Sequence, residues 1–89
     1  MKYYRVSPDI TWRVEGEAVL AYNRVTTLVY QLNKESAALL ELCDGSRAAD
    51  DLQAGFVAAT ARGDLKDEIE PFCTQLTEMG VLVAEERQA

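Results

Sequence analysis

The sequence predicts an α+β fold in which a three-stranded antiparallel meander is followed by three helices. Three observations predict it. Residues 11–15, Thr-Trp-Arg-Val-Glu, alternate polar and apolar, the period of a half-buried strand. Residues 27–32, Thr-Leu-Val-Tyr-Gln-Leu, are rich in the β-branched and aromatic side chains that suit a pleated surface. Leu65, Ile69, Phe72, Leu76 and Met79 follow one another at steps of four, three, four and three, which makes one continuous helical stripe.

Each element has its own signal. Ser7-Pro8-Asp9 marks a turn ahead of the first strand, whose Trp12 and Val14 should point inward. Gly16, with a glutamate on each side, closes a hairpin onto a return strand over 18–22. Asn23-Arg24-Val25-Thr26 makes the next turn, and the third strand runs over 27–32. Consecutive strands with short connections form a meander, so the middle strand pairs on both sides and the other two are edges.

The third strand feeds straight into a helix over 34–43. Asn33 is its N-cap, Glu35 sits in the first turn where a carboxylate suits the helix dipole, and Asp44-Gly45 stops it. Ser46 is the expected cap of a second helix, with Asp50 and Asp51 near its first turn, Leu52, Phe56 and Ala59 along one face, and Arg62-Gly63 at its end. Asp64 is the expected cap of the third. Pro71 leaves two arrangements open: one helix from Leu65 that kinks, or a separate turn over 65–69 with the main helix starting near Pro71. Gly80 stops that helix, residues 81–83 are extended, and 85–89 read as a frayed tail.

Composition narrows the function. Eighty-nine residues make one domain, with 48% apolar and 27% charged residues, an ordinary globular balance. A net charge of −6 opposes a phosphate-binding surface. No apolar run of about 18 residues is present to span a membrane, and Met1-Lys2-Tyr3-Tyr4-Arg5 leads into no apolar signal core, so a cytoplasmic protein is expected. Cys43 and Cys73 fall in no metal-ligand spacing and read as small buried apolar residues. Without histidine there is no Ser/His or Cys/His arrangement, and the five glycines form no phosphate loop. The expectation is a protein without catalytic residues, metal or cofactor, and hence a binding role.

An edge strand offers unpaired N–H and C=O groups to a partner strand. Residues 27–32 contain no proline and no charge to block such pairing. Proteins that hold extended peptides use an edge in this way, with main-chain bonds for affinity and side-chain pockets for selectivity. A covering segment or a dimer mate could equally occupy it.

A sheet followed by three helices looks like a winged-helix domain with the sheet placed first. Ser7-Pro8, Trp12-Arg13, the run Gly16-Glu17-Ala18-Val19-Leu20, Tyr30-Gln31-Leu32-Asn33, the run Ala37-Ala38-Leu39-Leu40-Glu41-Leu42, Asp44-Gly45, Arg47, and then Phe72, Leu76 and Gly80 occur in an order and spacing that resemble the PqqD-like family. These are the pyrroloquinoline quinone biosynthesis D-type peptide chaperones, or recognition elements of ribosomally synthesised and post-translationally modified peptide (RiPP) biosynthesis. The resemblance covers nearly the whole chain. Ala48, Cys73 and Pro71 depart from it, where threonine, leucine and a residue other than proline are usual.

The resemblance implies a non-catalytic protein that binds the leader of a precursor peptide and presents it to a modifying enzyme, often a radical SAM enzyme. It implies that the leader adds as a strand to the third strand, beside the third helix. The expected peptide-binding residues are then Thr27, Leu28, Val29, Tyr30 and Gln31 on the strand. On the helix they are the flank of Lys66, Glu70 and Cys73, with Ile69 at its border. No nucleic-acid or membrane partner is expected. The rival class, a DNA-binding winged-helix regulator, needs a basic recognition helix, whereas here Asp64, Asp67, Glu68, Glu70 and Glu78 stand against Lys66. A subunit that only stabilises a large enzyme is a third possibility.

Overall fold

The structure, a computed structural model, describes residues 1–88. The α+β class and the meander are as expected: β2 (Ile10–Glu15), β3 (Ala18–Asn23) and β4 (Val29–Asn33) lie side by side in that order. The register aligns Trp12, Ala21 and Tyr30 in one row and Val14, Val19 and Leu32 in the next. These rows share one face, and that face delivers Val19, Ala21 and Leu32 to the core. Trp12 is half-buried there, while Val14, at the hairpin end, shares the face but is 53% exposed.

The third strand starts later than its sequence pattern suggests. Thr27 and Leu28 belong to the turn. Asn23 organises that turn: its Oδ1 accepts the N–H groups of Val25 and Thr26 (2.9 and 3.1 Å), and its carbonyl accepts that of Thr27 (2.7 Å). This geometry puts Thr27 at φ +64°, a strained conformation for a β-branched residue, and outweighs its strand propensity.

A second sheet joins the meander. β1 (Lys2–Val6) is its middle strand, between β5 (Asp44–Ala48) and β6 (Leu82–Glu86), all antiparallel. Asp44-Gly45 does end the first helix, α1 (Ser36–Leu42), and the chain then continues as β5 rather than turning directly into the next helix. Ser46 is engaged in that strand, donating its N–H and hydroxyl to Asp44 Oδ1. It therefore does not cap α2 (Ala49–Thr60), which begins after Ala48 with no side-chain cap. Asp50 and Asp51 occupy the first turn of α2, and Leu52 and Phe56 are buried, but Ala59 faces solvent. Glu85 and Glu86, expected in a frayed tail, pair with β1, and the Arg87 guanidinium lies 4.4 Å from the centre of the Tyr3 ring. The end of that expected tail, Ala89, lies outside the described residues.

Between α2 and the last helix, Gly63–Glu68 form a 3-10 segment, and α3 spans Ile69–Glu78. Pro71 is the third residue of α3. Backbone N–H groups of a first turn have no intrahelical acceptor, so proline removes nothing there. Of the two arrangements the sequence leaves open, the separate turn followed by the main helix is the one adopted. Asp64 does not cap α3; its carboxylate accepts from Arg62 at 2.9 and 3.0 Å. The core runs between both sheets and the helices through Tyr4, Val19, Leu39, Leu52, Phe56 and Leu76. No helix among the described residues is long and apolar enough to cross a membrane.

Candidate functional site

β4 pairs with β3 along one side, and among the described residues no strand pairs with its other side. Which main-chain groups face that open side follows from the hairpin. The Asn23 N–H donates to Leu28 O at 2.9 Å. Bonded and non-bonded pairs alternate along an antiparallel ladder, so in this register Tyr30 and Leu32 turn their N–H and C=O groups toward β3. Val29, Gln31 and Asn33 turn theirs to the open edge. The start of this edge is apolar and uncovered, with Leu28 52% and Val29 59% exposed.

α3 runs along the strand in the opposite sense. A Cβ at Gly80, just past the helix, would meet Asn23 Nδ2 at 3.8 Å, so the C-terminal end of α3 lies at the start of the β3–β4 hairpin. Its N-terminal end lies across from Asn33, and between them is an open depression of about 290 Å³. Ile69, Phe72 and Gln75 supply one wall, Asn33 and Ser36 the other, and Leu39 and Phe56 are among the floor residues. The junction of β4 and α1 is held rigid by Asn33. Its Oδ1 accepts from the N–H (3.1 Å) and the hydroxyl (2.8 Å) of Ser36, a side chain that is almost wholly buried. Asn33 thus ties the end of β4 to the first residue of α1, but the regular helix starts later than expected: Glu35, expected in the first turn, is the residue that flanks it, and the cap expected at Asn33 stands two residues earlier.

Carboxylates dominate the rim. Glu35 and Glu68 line the depression. Arg62 reaches Glu35 at 3.2 Å and Asp64 at 2.9 Å. The Asp64 carboxyl is held below its usual range chiefly by the hydrogen bond from Arg62, and the Arg62 guanidinium is raised chiefly by the same bond. The exposed positions of α3 include Glu70 and Glu78, whose charge repels phosphate.

The structure brings some of the expected residues together and separates others. Val29, Tyr30 and Gln31 lie on the edge strand, with Tyr30 packed half-buried against the core. Thr27 and Leu28 precede that strand. Ile69 lines the depression. Cys73 is 1% exposed and belongs to the core, so it presents nothing to the groove. Lys66 lines a different depression, against Asp50 and Gln53 of α2, and Glu70 lines neither. The side turned to Asn33 is instead that of Glu68, at the end of the 3-10 segment, with Phe72 and Gln75 of α3. Their spacing of four and three marks them as one flank in the sequence, but which flank meets β4 depends on how α3 crosses the sheet.

No family model matches this chain, and no curated protein matches it in sequence. Solved structures do resemble it in fold. One is described as lasso peptide synthetase B1 complexed with the leader peptide; it aligns with a TM-score of 0.69 at 19% identity, over 90% of this chain and 96% of that one. Another is TbiB1 in complex with the TbiA(beta) leader peptide, with a TM-score of 0.69 at 13% identity, over 96% of this chain and 99% of that one.

Proposed function

We propose that this chain, as a single domain, is a non-catalytic element that recognises the leader of a ribosomally synthesised precursor peptide and presents it to a modifying enzyme. The observation that carries the proposal is the open edge of Val29, Gln31 and Asn33, which ends at Asn33 beside the depression that α3 lines with Ile69, Phe72 and Gln75. Main-chain groups on that edge would hold an added strand, and the depression beside Asn33 would take a side chain from it. The fold likeness supports this reading, since both solved structures are described with leader peptides bound.

Within the proposal, the domain is a PqqD-like chaperone of winged-helix type with the sheet first, and it works in the cytoplasm, where buried Cys43 and Cys73 remain thiols. The family resemblance favours a radical SAM enzyme as partner, whereas one structural neighbour is itself described as lasso peptide synthetase B1, which favours membership of such a synthetase. Co-purification with one enzyme and not the other assigns the partner.

A proline scan tests the mode of binding. Gln31→Pro and Val29→Pro remove N–H groups that face the open edge. Both variants should fold and bind the leader more than about tenfold more weakly. Tyr30→Pro removes an N–H that pairs with β3 and should unfold or strongly destabilise the domain. A folded Gln31→Pro variant that binds the leader as tightly as the parent rules out strand addition at β4.

A further inference from the structure

The depression beside Asn33 joins an apolar floor to an acidic rim. Among the described residues its only titratable lining side chains are Glu35 and Glu68, and no lysine or arginine lines it. Arg62 is shared between Glu35 and Asp64, so one guanidinium stands against the carboxylates of Glu35, Asp64 and Glu68. Among the described residues Glu68 is in no ion pair. Lys66, two residues before Glu68, is turned toward α2 instead. The groove therefore carries uncompensated negative charge beside Leu65, Ile69 and Phe72.

We infer that the groove selects a cationic strand: a leader segment whose groove-facing positions place a large apolar residue next to a lysine or arginine two residues away. This rests on the peptide-binding reading above and names the chemistry of the peptide. Residues i and i+2 of a strand project to the same side about 6.6 Å apart. With the apolar side chain at i in the depression against Ile69 and Phe72, the side chain at i+2 or i−2 falls at the rim. A lysine or arginine there can lay its methylene stem on Leu65 and bring its charge to Glu68. An acidic residue at the same position would face like charge.

The test is a selection from a random twelve-residue peptide library on the intact folded chain, followed by anisotropy titrations of the enriched peptides. Enriched peptides should pair an apolar residue with Lys or Arg two positions away. Exchanging that cation for Glu should weaken binding by about three- to fivefold or more at low salt. Glu68→Lys should reverse the preference, and Glu68→Gln, which adds no opposing charge at the α3 N-terminus, should flatten it. Peptides with an apolar anchor but no charge preference overturn the inference and leave peptide recognition standing, as does a preference unchanged in Glu68→Lys. If nothing is enriched, or the enriched peptides bind Gln31→Pro as well as the parent, strand addition itself fails and the inference fails with it.

Discussion

Tyr4 is 2% exposed, and among the described residues its hydroxyl meets no hydrogen-bond partner. The neighbouring Thr74 hydroxyl donates to Glu70 O. A buried hydroxyl without a partner carries a desolvation cost, so Tyr4→Phe should leave stability unchanged or raise it by about 1 kcal/mol. A urea midpoint comparison checks this, and a loss of 2 kcal/mol or more would mean the hydroxyl is bonded. Beside it, the Cys43 thiol is pushed far above its ordinary value, first by its hydrogen bond with the Cys73 thiol and then by burial; Tyr4 is also raised, mainly by burial. Both shifts favour the neutral form in the folded state. Their stabilisation is complete below the unfolded-state pKa, about 8.5 for a thiol and about 10 for Tyr, and is lost as pH rises from there toward the folded values. Stability should therefore fall above pH 9 by about 1.4 kcal/mol per pH unit for the thiol alone. Urea midpoints between pH 7 and 10.5 should drop less steeply in Cys43→Ala than in the parent; parallel curves would show that Cys43 is not the group responsible.

At the scale of elements, Pro71 shows how position decides the effect of a residue. In the first turn of α3 its missing N–H costs nothing and its fixed φ restricts the unfolded chain. Pro71→Ala should accordingly be neutral or destabilising by up to ~1 kcal/mol, measured as a shift in urea midpoint. A stabilised variant would indicate a strained helix. The junction of β4 and α1 is legible in the sequence, because the short reach from Asn33 to Ser36 is a local hydrogen bond between residues three apart. β5 was not legible. Its residues, Asp-Gly-Ser-Arg-Ala, have little strand propensity, and they are extended because β1, far away in sequence, offers them a partner. Ser46, expected as a cap, instead donates its N–H and hydroxyl to Asp44 within β5.

For the molecule as a whole, β1 is the tie between distant parts of the chain. It pairs with β5 from the middle and β6 from the C-terminal region, and Tyr4 packs in the shared core. Deleting residues 1–6 should thus unfold the domain, even though the meander and all three helices remain in the sequence. Circular dichroism melting checks this: a truncated chain that melts cooperatively near the parent temperature would show that the second sheet is dispensable. Local pattern determined the meander, the three helices, the bond from Asn33 to the start of α1 and the uncharged edge strand, because each rests on contacts between residues near one another in sequence. The tertiary structure alone decided the second sheet, the N–H groups of β4 that face outward, and the flank of α3 that looks across the groove. Those depend on strand register and on the direction in which a helix crosses a sheet, and periodicity cannot distinguish one flank of an apolar stripe from the other. That is why Lys66 and Cys73 fall away from the groove while Glu68 and Gln75 line it.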